Sequence, residues 1–161
     1  MMKKIRSVFG LAALCFFVFS SDGWAQTPAA AEKTVEVFGQ KIHYVESGSG
    51  TTVILLHGLG GESGNWAATT PALASKFHVY ALDQIGFGQS DKPLINYRVA
   101  TLVEFLNAFC KKVGIDKASV VGNSLGGWTA AAFTLAYPDK VDRLVLVNVE
   151  RFRSTPWPQA G

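Results

Sequence analysis

A serine flanked by glycines has the spacing that a catalytic nucleophile needs. The segment Gly122-Asn123-Ser124-Leu125-Gly126 follows an apolar run and precedes an alanine-rich helical pattern. A nucleophilic serine requires a sharp turn between a strand and a helix, and nearby glycines let the backbone pass without side-chain collisions. The free N–H groups at the start of the helix then face the reacting oxygen. We therefore predict that Ser124 is a nucleophile, the alternative being a serine that only caps the helix.

A second glycine-rich segment, His57-Gly58-Leu59-Gly60-Gly61, directly follows the apolar run V-I-L-L. A tight turn at the carboxyl end of a strand can point backbone N–H groups into the crevice where sheets of this class bind ligands. We predict that the N–H groups of Leu59 and Leu125 form an oxyanion hole for negative charge that develops on a carbonyl oxygen. The alternative is an ordinary loop between a strand and a helix.

The three histidines all precede Ser124 in the chain. His57 comes before a turn-forming glycine, so we expect its ring to hold the loop by hydrogen bonding and not to act as the catalytic base. His43 and His78 fall within strand patterns and are expected to be structural. A serine hydroxyl is a weak nucleophile without an adjacent base, and we expect none of these three histidines to be that base.

The elements that must position these motifs alternate between strand and helix patterns. Alternation at 34–38 and 41–46 around a Gly39-Gln40 turn predicts a hairpin. Strands are predicted at 53–56, 77–82, 118–121 and 141–149, and helices at 65–76, between 97 and 113, and from 127 to 137. This order predicts an α/β fold in which the hairpin precedes a mainly parallel sheet with helices on both faces.

The N-terminus has the layout of a secretory signal, with a basic start, an apolar run at 8–19 and small residues near Ala25. A spanning helix needs about 20 apolar residues, so an uncleaved anchor is disfavoured. Lipidation at Cys15 is also disfavoured, because bulky Leu14 precedes it. We expect a signal peptide at 1–25, a linker at 26–33, the folded core at 34–150, an irregular tail at 151–161, and export to the periplasm or beyond the cell.

The charge balance argues against nucleic acid as a partner. The chain has 15 basic and 12 acidic residues, and removal of the signal takes three basic residues and one acidic residue with it. The net charge then falls from +3 to +1, with no basic run elsewhere. We expect a small-molecule substrate and no stable membrane association after signal removal. Cys110, in an apolar helical stripe, is expected to be buried.

Four segments in this order resemble the α/β-hydrolase fold superfamily: H-G-L-G-G, D-Q-I-G-F-G-Q-S, G-N-S-L-G-G and Y-P-D-K-V-D-R-L-V-L-V-N. The resemblance runs from 34 to 149 and is nearest to the branch of esterases, haloperoxidase-like enzymes and carbon–carbon bond hydrolases. It implies a serine nucleophile at Ser124, an oxyanion hole from Leu59 and Leu125, and no cofactor or metal. The residues it places in or near the substrate pocket are His57, Gly58, Asn65, Trp66, Phe87, Asn123 and Trp128.

The same resemblance implies that part of the fold and of the triad is missing. The family's acid and histidine follow the nucleophile, and the chain has about six of the eight expected strands. Asn148 and Glu150 occupy a position where some members carry the acid, but neither is a convincing substitute. The strand at 141–149 would be left as an apolar edge open to a partner. We expect a fragment of a longer hydrolase, the alternative being a short protein that binds through this edge.

The predicted reaction of the intact enzyme is acyl transfer from a carboxylic ester through an acyl-enzyme on Ser124. Cleavage of a carbon–carbon bond in a diketone acid is the second choice of substrate. A nucleotide-binding domain is disfavoured because neither glycine-rich turn matches a phosphate loop or a dinucleotide fingerprint.

Overall fold

The computed structural model describes residues 29–149, which form a six-stranded sheet with helices packed on it. The predicted signal peptide, the start of the predicted linker, Glu150 and the predicted tail lie outside these residues. Within 29–149, no helix combines the length and the apolar character that crossing a bilayer requires.

The chain begins with an antiparallel hairpin of β1 (Ala31–Val37) and β2 (Gln40–Ser47). Phe38 and Gly39, which connect the strands, both have positive φ, at 52° and 72°. β1 starts three residues earlier than predicted, so residues 31–33 belong to the sheet. Lys33 Nζ donates a 2.8 Å hydrogen bond to Glu46 across the hairpin, which helps to extend the pairing to this end.

The other four strands run parallel to one another and confirm the predicted fold class. They are β3 (Thr52–Leu56), β4 (His78–Leu82), β5 (Ala118–Asn123) and β6 (Val141–Val147). The sheet order is β1-β2-β4-β3-β5-β6, and only the pairings of β2 with β1 and β4 are antiparallel. The carboxyl ends of β3, β4 and β5 therefore meet at one edge of the sheet.

The helices cover both faces of the sheet, as predicted. Along β3, Ile54 and Leu56 join the core under α2 (Val99–Val113) and α3 (Leu125–Ala136), while Val53 and Leu55 face α1 (Thr70–Ala74). Side chains of a strand alternate between faces, so one continuous apolar run serves two cores.

The predicted helix at 65–76 is wrong. The structure has a short 3₁₀ helix at Ser63–Trp66 and the separate helix α1. Pro71 lies in the first turn of α1, where its missing N–H costs nothing, but a helix running through it from residue 65 would lose a hydrogen bond.

The helix predicted between 97 and 113 is confirmed as α2, and it ends at Gly114 in the left-handed conformation, with φ of 76°. Cys110 lies in its buried stripe with 2% of its surface exposed. Burial raises the pKa of the Cys110 thiol to about 12, which keeps it protonated and unreactive at neutral pH.

Among residues 29–149, the outer strand β6 pairs only with β5 and forms an edge of the sheet. Its apolar side chains Leu144, Val145, Leu146 and Val147 are 37–47% exposed. An unpaired edge of this kind offers backbone N–H and C=O groups to a further strand.

Candidate active site

The turn that presents Ser124 consists of a single residue. β5 extends to Asn123 and α3 begins at Leu125, so the strand ends two residues later and the helix begins two residues earlier than predicted. Ser124 has φ of 50° and ψ of −113°, a backbone conformation that residues other than glycine rarely adopt. Its side chain is exposed at the carboxyl edge of the sheet.

Two glycines allow this turn to close. A Cβ at Gly122 would overlap the carbonyl of Gly126 across the turn, and a Cβ at Gly126 would overlap the carbonyl of Leu56 in β3. Both positions therefore need glycine for close backbone approach, which brings the start of α3 against the end of β3.

Hydrogen bonds hold the backbone of Ser124 in place, but its side chain does not cap α3. Its N–H donates to Val147 O at 3.0 Å, and its carbonyl accepts from the N–H of Trp128 at 3.1 Å. The hydroxyl makes no capping hydrogen bond to α3. The capping alternative for this serine therefore has no support in the geometry.

The glycine-rich loop after β3 lies directly beside Ser124. A Cβ added at Gly58 would be 3.3 Å from the Cβ of Ser124, and the N–H of Gly61 closes the loop on Gly58 O at 3.1 Å. Leu59 is 77% exposed, and its N–H has no backbone partner among residues 29–149. Leu125 is the first residue of α3, so its N–H has no acceptor within the helix.

His57 is a fully buried support of this loop. Its Nε2 accepts a 3.0 Å hydrogen bond from the N–H of Gln84, which leaves Nδ1 to donate to Gly58 O at 2.7 Å. Burial lowers the pKa of His57 and favours this neutral tautomer. Since both ring nitrogens are occupied, His57 cannot take a proton from Ser124.

An open pocket of about 240 Å³ adjoins the turn. Its lining residues are His57, Asn65, Trp66, Asn123, Val147 and Asn148. Four of these were predicted from the sequence. Val147 and Asn148 were not predicted as lining residues, because their place depends on the pairing of β6 with β5, in which Val147 lies opposite Asn123.

Two buried polar atoms in the pocket lining have no hydrogen-bond partner among the described residues. They are Nε1 of Trp66 and Oδ1 of Asn123. Asn65 has a structural bond, because its Oδ1 accepts from the N–H of Glu62 at 2.9 Å.

The remaining predicted pocket residues lie close to this centre. The Phe87 ring packs edge to face on the His57 ring with centroids 5.5 Å apart. Trp128 is half-buried in the first turn of α3, one turn after Ser124. Asn148, with φ of 49°, carries an amide and no acid, and residues 29–149 contain no cluster of His, Cys, Asp or Glu able to hold a metal.

A buried cluster joins Asp83 and Ser90, in the loop after β4, to His43 in β2. Asp83 Oδ2 is 2.9 Å from Nδ1 of His43 and accepts from the N–H of Gln89 at 2.7 Å. Ser90 Oγ accepts from the N–H of His43 at 2.8 Å and donates to Asp83 O at 2.6 Å. The structural role predicted for His43 is confirmed. His78 pairs with Glu46 at 2.8 Å and is structural as well.

Similarity to known proteins agrees with this architecture. A hydrolase of 2-hydroxy-6-oxo-6-(2'-aminophenyl)hexa-2,4-dienoic acid from Metapseudomonas resinovorans is 40% identical over 124 residues, covering 74% of this chain and 43% of its own. A bacterial membrane phospholipase A superposes with a TM-score of 0.72 at 37% identity, covering 73% of this chain and 39% of that one. The epoxide hydrolase CorEH gives a TM-score of 0.72 at 33% identity, covering 73% and 42%.

The chain spans less than half the length of these relatives. Residues 51–160 match the family described as alpha/beta hydrolase fold, which is more than half of the chain. With the strand order, the turn at Ser124 and these relatives in agreement, the chain belongs to the α/β-hydrolase family.

Proposed function

We propose that this chain carries the nucleophile and the oxyanion hole of a serine hydrolase that acts on a carboxylic ester. The observation that supports this most is the exposed Ser124, held at φ of 50° between β5 and α3 and beside the glycine-rich loop. Such strain costs about 1–3 kcal/mol and persists where function requires it.

In the proposed reaction, Ser124 Oγ attacks the ester carbonyl carbon and its proton passes to a base. The N–H groups of Leu59 and Leu125 stabilise the negative charge on the carbonyl oxygen. The alcohol leaves with a proton and an acyl-enzyme forms. Water then attacks this ester, which releases the acid and restores the hydroxyl.

The base is the component that this chain lacks. No histidine follows Ser124 in the sequence, and His57 is fully bonded in the loop. We propose that the chain alone reacts slowly and that a histidine and an acid would have to come from further protein at the β6 edge. Export by the N-terminal signal remains part of this proposal.

A carbon–carbon bond hydrolase is the second candidate. The Metapseudomonas resinovorans relative is named as the hydrolase of a ring-derived oxo-dienoic acid, and its similarity extends over most of this chain. The same nucleophile and oxyanion hole would then act on a ketone carbonyl. A third candidate is a binding protein that uses the exposed edge of β6, which the 37–47% exposure of its apolar side chains favours.

Labelling with a fluorophosphonate, with and without added imidazole, tests the proposal. Serine attack on phosphorus expels fluoride, and imidazole can accept the proton that the missing histidine would take. We expect slow labelling of the chain that imidazole accelerates by at least about tenfold. Ser124→Ala should abolish the label, whereas Ser75→Ala, at an exposed serine bonded to Ala72 O, should leave it unchanged.

Absence of label on folded protein at high imidazole would contradict the nucleophile assignment and favour the binding protein. Label that survives in Ser124→Ala would place the reactive group elsewhere. Peptide mass spectrometry of the labelled chain identifies the modified residue in either case.

A further inference from the structure

A groove with an apolar surface lies next to the pocket at Ser124. It has a volume of about 420 Å³ and is formed by the loop between β4 and α2. We call it the side groove, and its lining residues are Gly86, Phe87, Lys92, Pro93, Leu94 and Tyr97. Phe87 contacts the ring of His57, which lines the pocket, so the two concavities are adjacent.

The two polar side chains of the side groove donate hydrogen bonds to backbone carbonyls of the same loop. Lys92 Nζ donates to the carbonyls of Gly88 at 2.6 Å and Ser90 at 3.1 Å. The hydroxyl of Tyr97 donates to Pro93 O at 2.6 Å. The Lys92 ammonium keeps its positive charge, while its alkyl stem and the ring of Tyr97 add apolar surface to the side groove.

The side groove is held in shape before any ligand arrives. The Tyr97 ring lies against the backbone of Gly86, where any side chain would overlap it. The N–H of Gly86 donates to Asp91 O at 2.9 Å, and the N–H of Ile95 donates to Pro93 O at 2.9 Å. A preformed surface loses little conformational entropy on binding.

Leu94 has nothing covering it, at full exposure, within this apolar surface. An exposed leucine alone needs no explanation. Here it joins Phe87, Pro93 and Tyr97 beside a candidate nucleophile, and these four side chains make most of the lining apolar.

We propose that the side groove binds the apolar arm of the substrate, so that the preferred esters carry an alkyl or aryl arm that passes from Ser124 over Phe87. This inference rests on the proposed function of Ser124. It names a substrate class that small acetyl esters do not meet.

Titration of the full chain with n-alkylboronic acids from ethyl to octyl tests the inference. Ser124 Oγ would add to boron and release its proton to water, which gives a tetrahedral boron signal in ¹¹B NMR. We expect affinity to rise roughly twofold to threefold per added CH₂, below the fourfold of full burial because the groove is open. Backbone amide shifts should appear at 86–97.

Matched leucine variants locate the effect. Leu94→Ser should lower octylboronic acid affinity about fivefold and leave ethylboronic acid unchanged. Leu135→Ser, at a leucine 85% exposed on α3, should change neither. Two results would overturn the proposed role of the side groove. One is boronic acid affinity that does not depend on chain length although tetrahedral boron forms, and the other is an equal loss of octylboronic acid affinity in both leucine variants.

Failure of the proposed function gives a different result. In that case no tetrahedral boron forms with the unmodified chain, although the amide shifts at 86–97 still grow with chain length. Ser124→Ala supplies the reference, because it should remove the boron signal and keep those shifts.

Discussion

Two serines follow the parallel strands on either side of β3, and their side chains differ in exposure and hydrogen bonding. Ser90, after β4, is 2% exposed, and its hydroxyl both accepts from His43 N–H and donates to Asp83 O. Ser124, after β5, is exposed and makes no capping bond. The buried serine has a histidine and an aspartate beside it, whereas the exposed one has glycines. Residue types alone therefore do not distinguish a candidate nucleophile from a structural serine, whereas the exposure and hydrogen bonds of the hydroxyl do.

The two loops are also closed by different forces. The loop at 83–91 is closed by a buried carboxylate, since Asp83 accepts from the N–H groups of Ser63 and Gln89 and faces His43. The turn at Ser124 is closed by close backbone approach at Gly122 and Gly126. The first loop thus depends on a titratable group, and the second does not.

The largest effect should come from Asp83→Asn. The change removes the charge of a buried carboxylate that accepts from the N–H groups of Ser63 and Gln89 and faces the buried His43, so we expect a loss of about 3–5 kcal/mol in the free energy of unfolding. Urea denaturation at pH 7 measures it. Asp116→Asn, at an exposed aspartate, is the matched control and should change stability by less than about 0.5 kcal/mol.

The pH dependence of this difference has a defined sign. Burial acts to raise the pKa of Asp83, but hydrogen bonds from Gln89 and Ser63 and the charge of His43 outweigh it and lower the pKa. Its contribution is therefore complete above the unfolded pKa of about 3.9 and is lost as the pH falls through the lower folded value. The difference in the free energy of unfolding between the parent chain and Asp83→Asn should therefore become smaller below about pH 4. An equal difference at pH 7 and pH 3 would mean that the charge of Asp83 does not cause the loss of stability.

A smaller effect is expected from Ser90→Ala. It leaves the N–H of His43 and the carbonyl of Asp83 without their buried partner, at a cost of about 1–3 kcal/mol. Labelling of Ser124 by fluorophosphonate, measured under conditions where the variant is folded, should remain at the parent rate. A parallel loss of labelling would mean that the Ser90 cluster takes part in the chemistry.

Much of this comparison could be predicted from the sequence, because it depends on local patterns. The apolar runs, Gly114 and the glycine spacing around Ser124 each act through their immediate neighbours, and they predicted the sheet, α2 and the turn. The family resemblance selected the pocket residues His57, Asn65, Trp66 and Asn123, and these meet in one pocket.

The rest depends on contacts between distant segments. The bonds of Asp83 join residues 20 and 40 positions away, and no periodicity reports them. Val147 and Asn148 reach the pocket only through the register of β6 on β5. The prediction of one helix at 65–76 is wrong because Pro71 fits the first turn of a helix and not its interior, so α1 begins at Thr70, after the separate 3₁₀ helix.

The smallest predicted effect tests the strain at Ser124. Alanine keeps the cost of a positive φ, whereas glycine removes it, so Ser124→Gly should be more stable than Ser124→Ala by about 1 kcal/mol. At most positions the order is reversed, because glycine makes the unfolded chain more flexible. The same pair at Ser90 should show that ordinary order, with alanine equal to or more stable than glycine. Urea denaturation of the four variants measures both differences in the free energy of unfolding. If Ser124→Ala were more stable than Ser124→Gly, the turn would not be strained.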